Sequence, residues 1–260
     1  FSTDVNVEFD YSIDIVNACK QSNVHCYHYD SEKFSSCRSF GIAIAAGWQK
    51  MIRNIPENKL IVFHDSILPK YRGFNPLVTA LIKRDEFIGV SAISAAERYD
   101  EGDVYYQEII NISYPITIKD AIQRISFCYR RLAEKICMSY YSDTLTSQPQ
   151  NHNAATYSLW RNEDDYRINW FDDADDISHF IRCVGYPYKG ALSYLNGLEV
   201  RIRSATVLPD VLIENRSCGK VIFKHDDKLI VVCGKGLLRL DDITVDSIDN
   251  PSIGIRSKFI

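Results

Sequence analysis

His64 and Asp100 are the residues of this chain best placed to do chemistry, because each follows an apolar run of strand character, residues 60–63 and 89–95. Ligand crevices of open α/β sheets lie just beyond the C-terminal ends of the strands, so the two side chains are expected to face each other across one site. Histidine titrates near neutrality, and a neighbouring carboxylate favours its imidazolium form. Such a pair takes a proton from a nucleophile or stabilises a developing oxyanion. Two other readings fit the same residues: half of a metal site, and an unrelated pair. The sequence has no G-x-S-x-G elbow and no cysteine in a reactive-looking context, so covalent catalysis has no candidate nucleophile. Between the two residues, Lys70 and Arg72 occupy a loop where they either meet substrate phosphate or stay solvated.

The elements that must position this pair follow from local pattern. Residues 40–46 are continuously apolar, as a strand covered on both faces of a parallel sheet would be, and Gly47 and Trp48 stand at its end. Trp48 reads equally as a ligand contact or a packing residue. Asn75 and Pro76 offer an N-cap and a first-turn proline for a helix reaching Arg84. Strands are expected at 24–29, 89–95 and 104–112, and a short helix at 11–20. Thr117 and Asp120 have capping-box spacing, and Ile118, Ile122, Ile125, Tyr129, Leu132 and Ile136 recur every three or four residues, which predicts a helix to about Tyr141. This alternation implies parallel βαβ units. Residues 143–156 are polar and read as a linker. Beyond them lie a helix at 173–184 and closely spaced short strands, two of which flank Asn196-Gly197 and two Asp226-Asp227, the pattern of a small β-barrel.

Composition narrows the partners. The 260 residues carry a formal net charge of −4, which gives no global basic field for nucleic acid. Eight cysteines contain no C-x-x-C pair and lie in apolar segments, which suits reduced, buried thiols better than a disulfide framework or zinc site. His25, Cys26 and His28 invite a metal reading, but in a strand 25 and 28 point to opposite faces, and structural histidines fit better. No apolar run approaches the roughly 20 residues that span a bilayer, and no signal peptide precedes the first helix, so the cytoplasm is the default location.

The stretch HDSILPKYRGFNP, followed by IGVSAI and YDEGD, resembles the N10-formyltetrahydrofolate-dependent formyltransferase family. The family pattern is Asn-x-His, a Ser-Leu-Leu-Pro loop with Arg-Gly, and a later Asp-x-Gly-Asp-type loop. His64, Ser66-Ile67-Leu68-Pro69, Arg72-Gly73 and Asp100-Glu101-Gly102-Asp103 match it, and the separation of 36 positions (100 − 64 = 36) is similar to the family's. Ala46 to Ile52 is similar to the loop that cradles the pterin. The resemblance extends to Trp160, Ile168-Asn169-Trp170, Pro187, Gly190-Ala191 and Cys233-Gly234-Lys235-Gly236, which look like the small barrel appended to methionyl-tRNA and nucleotide-sugar formyltransferases.

The resemblance implies a Rossmann-like α/β domain with a mostly parallel sheet and flanking helices at 1–142, a linker at 143–156, and a C-terminal helix plus OB-like barrel at 157–260. An opening strand is expected before Phe1. It implies His64 and Asp100 as catalytic, Gly47, Trp48, Lys50, Met51, Ile52, Glu97 and Tyr99 as contacts for N10-formyltetrahydrofolate, and Asp65, Ser66, Lys70 and Arg72 as contacts for the acceptor. No metal is expected. The acidic balance disfavours tRNA, and the barrel is not expected with the purine enzyme, which leaves a nucleotide-linked amino sugar, as used for surface polysaccharides such as O-antigen; a homodimer is allowed. One departure matters: Val62 stands where the family has Asn, and valine has no amide to donate to an oxyanion. Loss of such a donor typically costs on the order of 100-fold to 1000-fold in rate. The alternatives are methionyl-tRNA formylation and a catalytically impaired binding relative.

Overall fold

The computed structural model describes residues 1–3, 7, 9–29, 40–48, 52, 55–245 and 254–260. The chain divides into two units: residues 1–112 with 121–160, and residues 113–120 with 161–260. The first unit therefore runs through residues 143–156 and ends at Trp160.

The first unit is built on β1 (Ala43–Ala46), β2 (Leu60–His64), β4 (Phe87–Ser94) and β5 (Val104–Asn111), hydrogen-bonded in that order. Strands β1 and β2 pair in parallel, whereas β2 with β4 and β4 with β5 pair antiparallel. The Rossmann-like sheet is thus mixed among its described strands, where the sequence suggested mostly parallel pairing. A strand buried on both faces is apolar throughout whichever way its neighbour runs, so the apolar runs did not encode direction. The nine residues between β4 and β5 are too few for the helical crossover that a parallel pair requires.

Helices flank this sheet. In α1 (Ser12–Gln21) no residue is buried. A left-handed Asn75 (φ 49°) precedes α2 (Pro76–Ile82), with no side-chain cap, so Asn75 turns the chain instead of capping it. The long α3 (Ile118–Tyr141) opens with Thr117, whose hydroxyl accepts from the Asp120 amide at 3.1 Å and donates to its carboxylate at 2.7 Å. Ile118, Ala121, Ile125, Cys128, Leu132 and Ile136 form its buried stripe. Residues 24–29 form no strand; the Tyr29 amide instead donates to the Phe1 carbonyl at 2.8 Å. A two-residue pairing joins β3 (Arg72–Gly73) in parallel to β6 (Tyr157–Ser158).

The second unit carries α4 (Ala174–Cys183) and a five-stranded antiparallel sheet ordered β7 (Ala191–Leu195), β8 (Leu198–Leu208), β11 (Leu237–Val245), β10 (Lys228–Val232), β9 (Val221–His225). Both sequence-predicted hairpins are present, and Asn196, Gly197, Asp226 and Asp227 all take positive φ, as tight two-residue turns require. The sheet is not a closed barrel: its edge strands β7 and β9 do not pair. Residues near the end of the chain bridge them, Phe259 to Leu195 and Lys258 to Lys220. Phe259 packs its ring 5.5 Å from that of buried Trp170, whose indole N–H donates to the Ser193 hydroxyl at 3.0 Å.

Candidate active site

Strand β2 ends at His64, and the alternation of a strand puts Val62 on the same face, one step back. Across the sheet His64 is in register with Ser91 of β4. Ser91 pins the following loop: its hydroxyl donates to the Ser66 carbonyl at 2.7 Å and accepts from the Leu68 amide at 3.0 Å. Gln107 of β5 adds a hydrogen bond to the Leu68 carbonyl at 2.9 Å. The loop can therefore turn sharply after His64 and still hold a fixed shape.

His64 is buried, and its two ring nitrogens face different acceptors. Nε2 lies 2.8 Å from the Tyr71 carbonyl oxygen; a carbonyl only accepts, so Nε2 carries a proton. Nδ1 lies 3.5 Å from Asp100 Oδ1. The imidazolium satisfies both acceptors and the neutral ring only one. At 3.5 Å Nδ1 is within Coulombic reach of the carboxylate without being held at hydrogen-bond length, so a proton placed there could still be shared with an incoming oxygen.

Asp100 is fixed from three sides. Its backbone is left-handed (φ 56°), its Oδ2 accepts from the Gly73 amide at 2.8 Å, and its carbonyl accepts from the Gln150 side-chain amide at 2.7 Å. Gly73 is required there: φ is +101°, and a Cβ would lie 2.5 Å from the Ser158 carbonyl. Gln150 also donates to the Gly102 carbonyl at 2.7 Å, and its oxygen accepts from Arg72 Nε and Nη2 at 3.2 and 2.8 Å. One amide thus braces the Arg72 loop against the Asp100 loop.

The four residues expected to meet the acceptor make the following contacts within the chain. Arg72 is 1% exposed, with its guanidinium on Gln150, on His152 Nδ1 at 3.1 Å and 3.5 Å from Glu101. Lys70 reaches away to Asp85 at 2.7 Å. The Ser66 hydroxyl donates to the Lys70 carbonyl at 2.6 Å. Asp65 accepts from the hydroxyl of Tyr129 on α3. Burial pushes the Asp65 carboxyl up, against the Tyr129 hydrogen bond and the nearby His64 charge, which pull it down. Burial, then the Asp65 charge, holds the Tyr129 phenol well above its ordinary value, while the Gly47 amide works the other way. Tyr129 and Gln150 are the residues that sequence pattern missed; Tyr129 appeared only as part of a helical stripe, and Gln150 only as part of a polar stretch.

The expected folate contacts divide. Gly47 takes φ +59°, and the Trp48 ring packs edge-on to Tyr29 with centroids 4.8 Å apart. Lys50 and Met51 lie outside the described residues. Ile52 is half-buried, and Glu97 is exposed. Tyr99 is exposed and lines a cleft of about 280 Å³ with Phe74, Tyr157 and Trp160, next to Gly73. Among the described residues no three His, Cys, Asp or Glu side chains gather as a metal site, and no helix is long and apolar enough to cross a membrane.

Sequence models named Formyl transferase and Formyl transferase, C-terminal domain match residues 15–134 and 161–249. The chain belongs to the formyl transferase family. A methionyl-tRNA formyltransferase of Thermodesulfovibrio yellowstonii is 31% identical to it over 203 residues, 77% of this chain and 64% of that protein. The formyl transferase chain described here thus spans under two thirds of that curated relative. Among solved structures, an N-formyltransferase from Helicobacter canadensis, in complex with folinic acid and dTDP-3-aminofucose, superposes with a TM-score of 0.64 at 15% identity, covering 87% of this chain and 82% of that one. A methionyl-tRNA formyltransferase from Clostridium thermocellum gives 0.60 at 16% identity, with 94% and 96% covered. At these identities the likeness is one of fold.

Proposed function

We propose that this chain is an N-formyltransferase that moves a formyl group from N10-formyltetrahydrofolate to the amine of a nucleotide-linked amino sugar. The observation that carries the reading is the pairing of buried His64, at the end of β2, with half-buried Asp100, Nδ1 facing the carboxylate and Nε2 anchored on Tyr71. The amine attacks the formyl carbon, the carbon–N10 bond breaks, N10 gains a proton and the attacking nitrogen loses one. In this reading His64, as an imidazolium, donates from Nδ1 to the formyl oxygen as charge develops on it. Asp100 orients the ring and balances its charge. As the intermediate collapses, the same ring can relay a proton between the two nitrogens.

For the folate, Gly47, Trp48, Lys50, Met51, Ile52, Glu97 and Tyr99 remain the proposed contacts. Asp65, Ser66, Lys70 and Arg72 shape the loop that carries His64. The Helicobacter canadensis neighbour, with its dTDP-3-aminofucose, and the net charge of −4 support an amino-sugar nucleotide. A second reading, formylation of charged initiator tRNA, is favoured by the name of the Thermodesulfovibrio relative.

The deciding assay presents N10-formyltetrahydrofolate with a panel of 3-amino and 4-amino sugar nucleotides, and separately with charged initiator tRNA, and detects the formamide by mass. We expect transfer to at least one sugar nucleotide, and a loss of roughly 100-fold to 10,000-fold in His64→Ala and Asp100→Ala. Unchanged transfer in either variant would remove the catalytic assignment, and transfer to tRNA alone would replace the acceptor.

A further inference from the structure

The end of α1 brings two thiols together. The helix stops at Gln21, and left-handed Asn23 (φ 53°) reverses the chain: its amide donates to the Lys20 carbonyl at 3.2 Å, and the Val24 amide donates to the Cys19 carbonyl at 2.8 Å. This paired closure of a helix end sends the next residues back past the last turn. Two residues beyond Val24, the thiols of Cys26 and Cys19 are joined by a hydrogen bond, and that bond, more than burial, holds the Cys19 thiol above its ordinary value. Both residues are half-buried, open to a small reagent. Three other described cysteines, Cys128, Cys183 and Cys233, are buried. Half-buried Cys218 stands near Cys233, but burial pushes the Cys233 thiol up to about 12, so little of it is the thiolate that sulfur exchange requires. A link at this helix end would matter because α1 is weakly packed: none of its residues is buried, and Ile13 and Ile15 are 71% and 44% exposed. Tyr29, three positions past Cys26, packs edge-on to Trp48 with centroids 4.8 Å apart.

We propose that Cys19 and Cys26 are a reversible modification site, closed to a disulfide by a low-molecular-weight disulfide of the glutathione kind. One protein thiolate attacks a sulfur of the small disulfide, which gives a mixed disulfide and releases one small thiolate. The other protein thiolate then attacks the protein-bound sulfur and releases the second. Two protein thiols are oxidised, and one small disulfide is reduced to two thiols. Sulfurs already in hydrogen-bond contact need only close to the roughly 2 Å of an S–S bond, and the reversal at Asn23 supplies the turn that so short a loop requires. The bond ties α1 to the segment that carries Tyr29 and steadies Tyr29 against Trp48. This last step rests on the reading of Trp48 as a folate contact: the oxidised form binds folate more tightly, because a steadied Trp48 has less freedom to lose.

The test equilibrates the full chain in glutathione buffers from reducing to oxidising, blocks the free thiols by alkylation and maps disulfides by peptide mass spectrometry. We expect a Cys19–Cys26 link that forms with oxidised glutathione and is lost with excess thiol. In Cys19→Ser and Cys26→Ser the remaining thiol of the pair should stop at the mixed disulfide and carry one glutathione. Cys137→Ser, changed at the exposed thiol of α3, serves as the control and should still close the link. Calorimetric titration with folinic acid should show binding tighter by roughly 5-fold or more in the oxidised parent than in the reduced one, with no such gain in Cys19→Ser or Cys26→Ser. No link, or one through any other pair, including Cys37, which lies outside the described residues, overturns the site. A mapped Cys19–Cys26 link with equal folinic acid binding in both states keeps the site and removes its coupling to Trp48. If neither state binds folinic acid, the folate reading of this loop falls with the coupling, while the mapped link still establishes the site.

Discussion

Tyr129 donates its hydroxyl to Asp65, so a residue in the middle of α3 holds the carboxyl that directly follows His64. The contact joins positions 64 apart in sequence and ties the helix to the end of β2. Burial raises the Asp65 pKa, and the consequence for stability has a definite sign. With the folded value above the unfolded one, the native state binds the extra proton, and ionising Asp65 in the fold costs stability as pH rises out of the ordinary carboxylate range. Asp65→Asn keeps an acceptor for Tyr129 and removes that cost. Denaturation midpoints of parent and variant should coincide well below pH 4 and separate in favour of the variant toward neutrality. A variant less stable than the parent at pH 8 would contradict this.

Val62 offers a gain of function. It shares a face with His64 and is flanked in register by Ala45 and Ile93, so an amide placed there would neighbour the imidazolium. Val62→Asn should raise kcat by about 10-fold to 100-fold, within the range that one oxyanion donor supplies. An unchanged kcat in a folded variant would mean that His64 and backbone amides already saturate the oxyanion.

Gly73→Ala should fail for two separable reasons. The residue needs φ +101°, which costs about 1–3 kcal/mol for a side-chain-bearing residue, and its Cβ would meet the Ser158 carbonyl. The shift also withdraws the amide from Asp100, so formyl transfer should drop further than the melting temperature alone accounts for. Activity retained at low temperature would show that Asp100 does not need this donor.

Gln150→Ala should destabilise by about 1–3 kcal/mol, because buried Arg72 loses an acceptor and the carbonyls of Asp100 and Gly102 lose a donor. Activity should fall with it if His64 and Asp100 act as proposed, since the loops on either side of that pair lose a common brace. Chemical denaturation and a formyl-transfer assay on the same preparation measure the two effects.

Much of this arrangement was legible in the residues. The proximity of His64 and Asp100 was legible from His64 at a strand end, Asp100 in a loop after a strand and their family-like spacing, α3 from its period, and the second unit's hairpins from Asn196-Gly197 and Asp226-Asp227. Strand direction was not legible, because β2 and most of β4 are buried on both faces, and such a pattern carries no trace of which way a neighbour runs. The surroundings of Arg72 were not legible: it looks like a surface charge until Gln150 and His152, some 80 positions on, bury it. Gln150 itself lies in a polar stretch, and polarity alone cannot distinguish a solvated linker from a hydrogen-bonded strut.

That strut bears on how modular this chain is. Residues 148–158 are stitched to the first unit: Gln148 bridges Val104, the Thr156 carbonyl takes the Arg72 amide at 2.8 Å, and Tyr157 and Ser158 pair with β3. Residues 113–120 meanwhile belong to the second unit, although α3 begins within them. The two units are therefore interlaced along the chain and do not follow one another like beads. A chimera that borrows the second unit of a relative should keep everything through Trp160 and carry over 113–120 as well. One joined anywhere in 143–156 would inherit a His64 loop without its fastening.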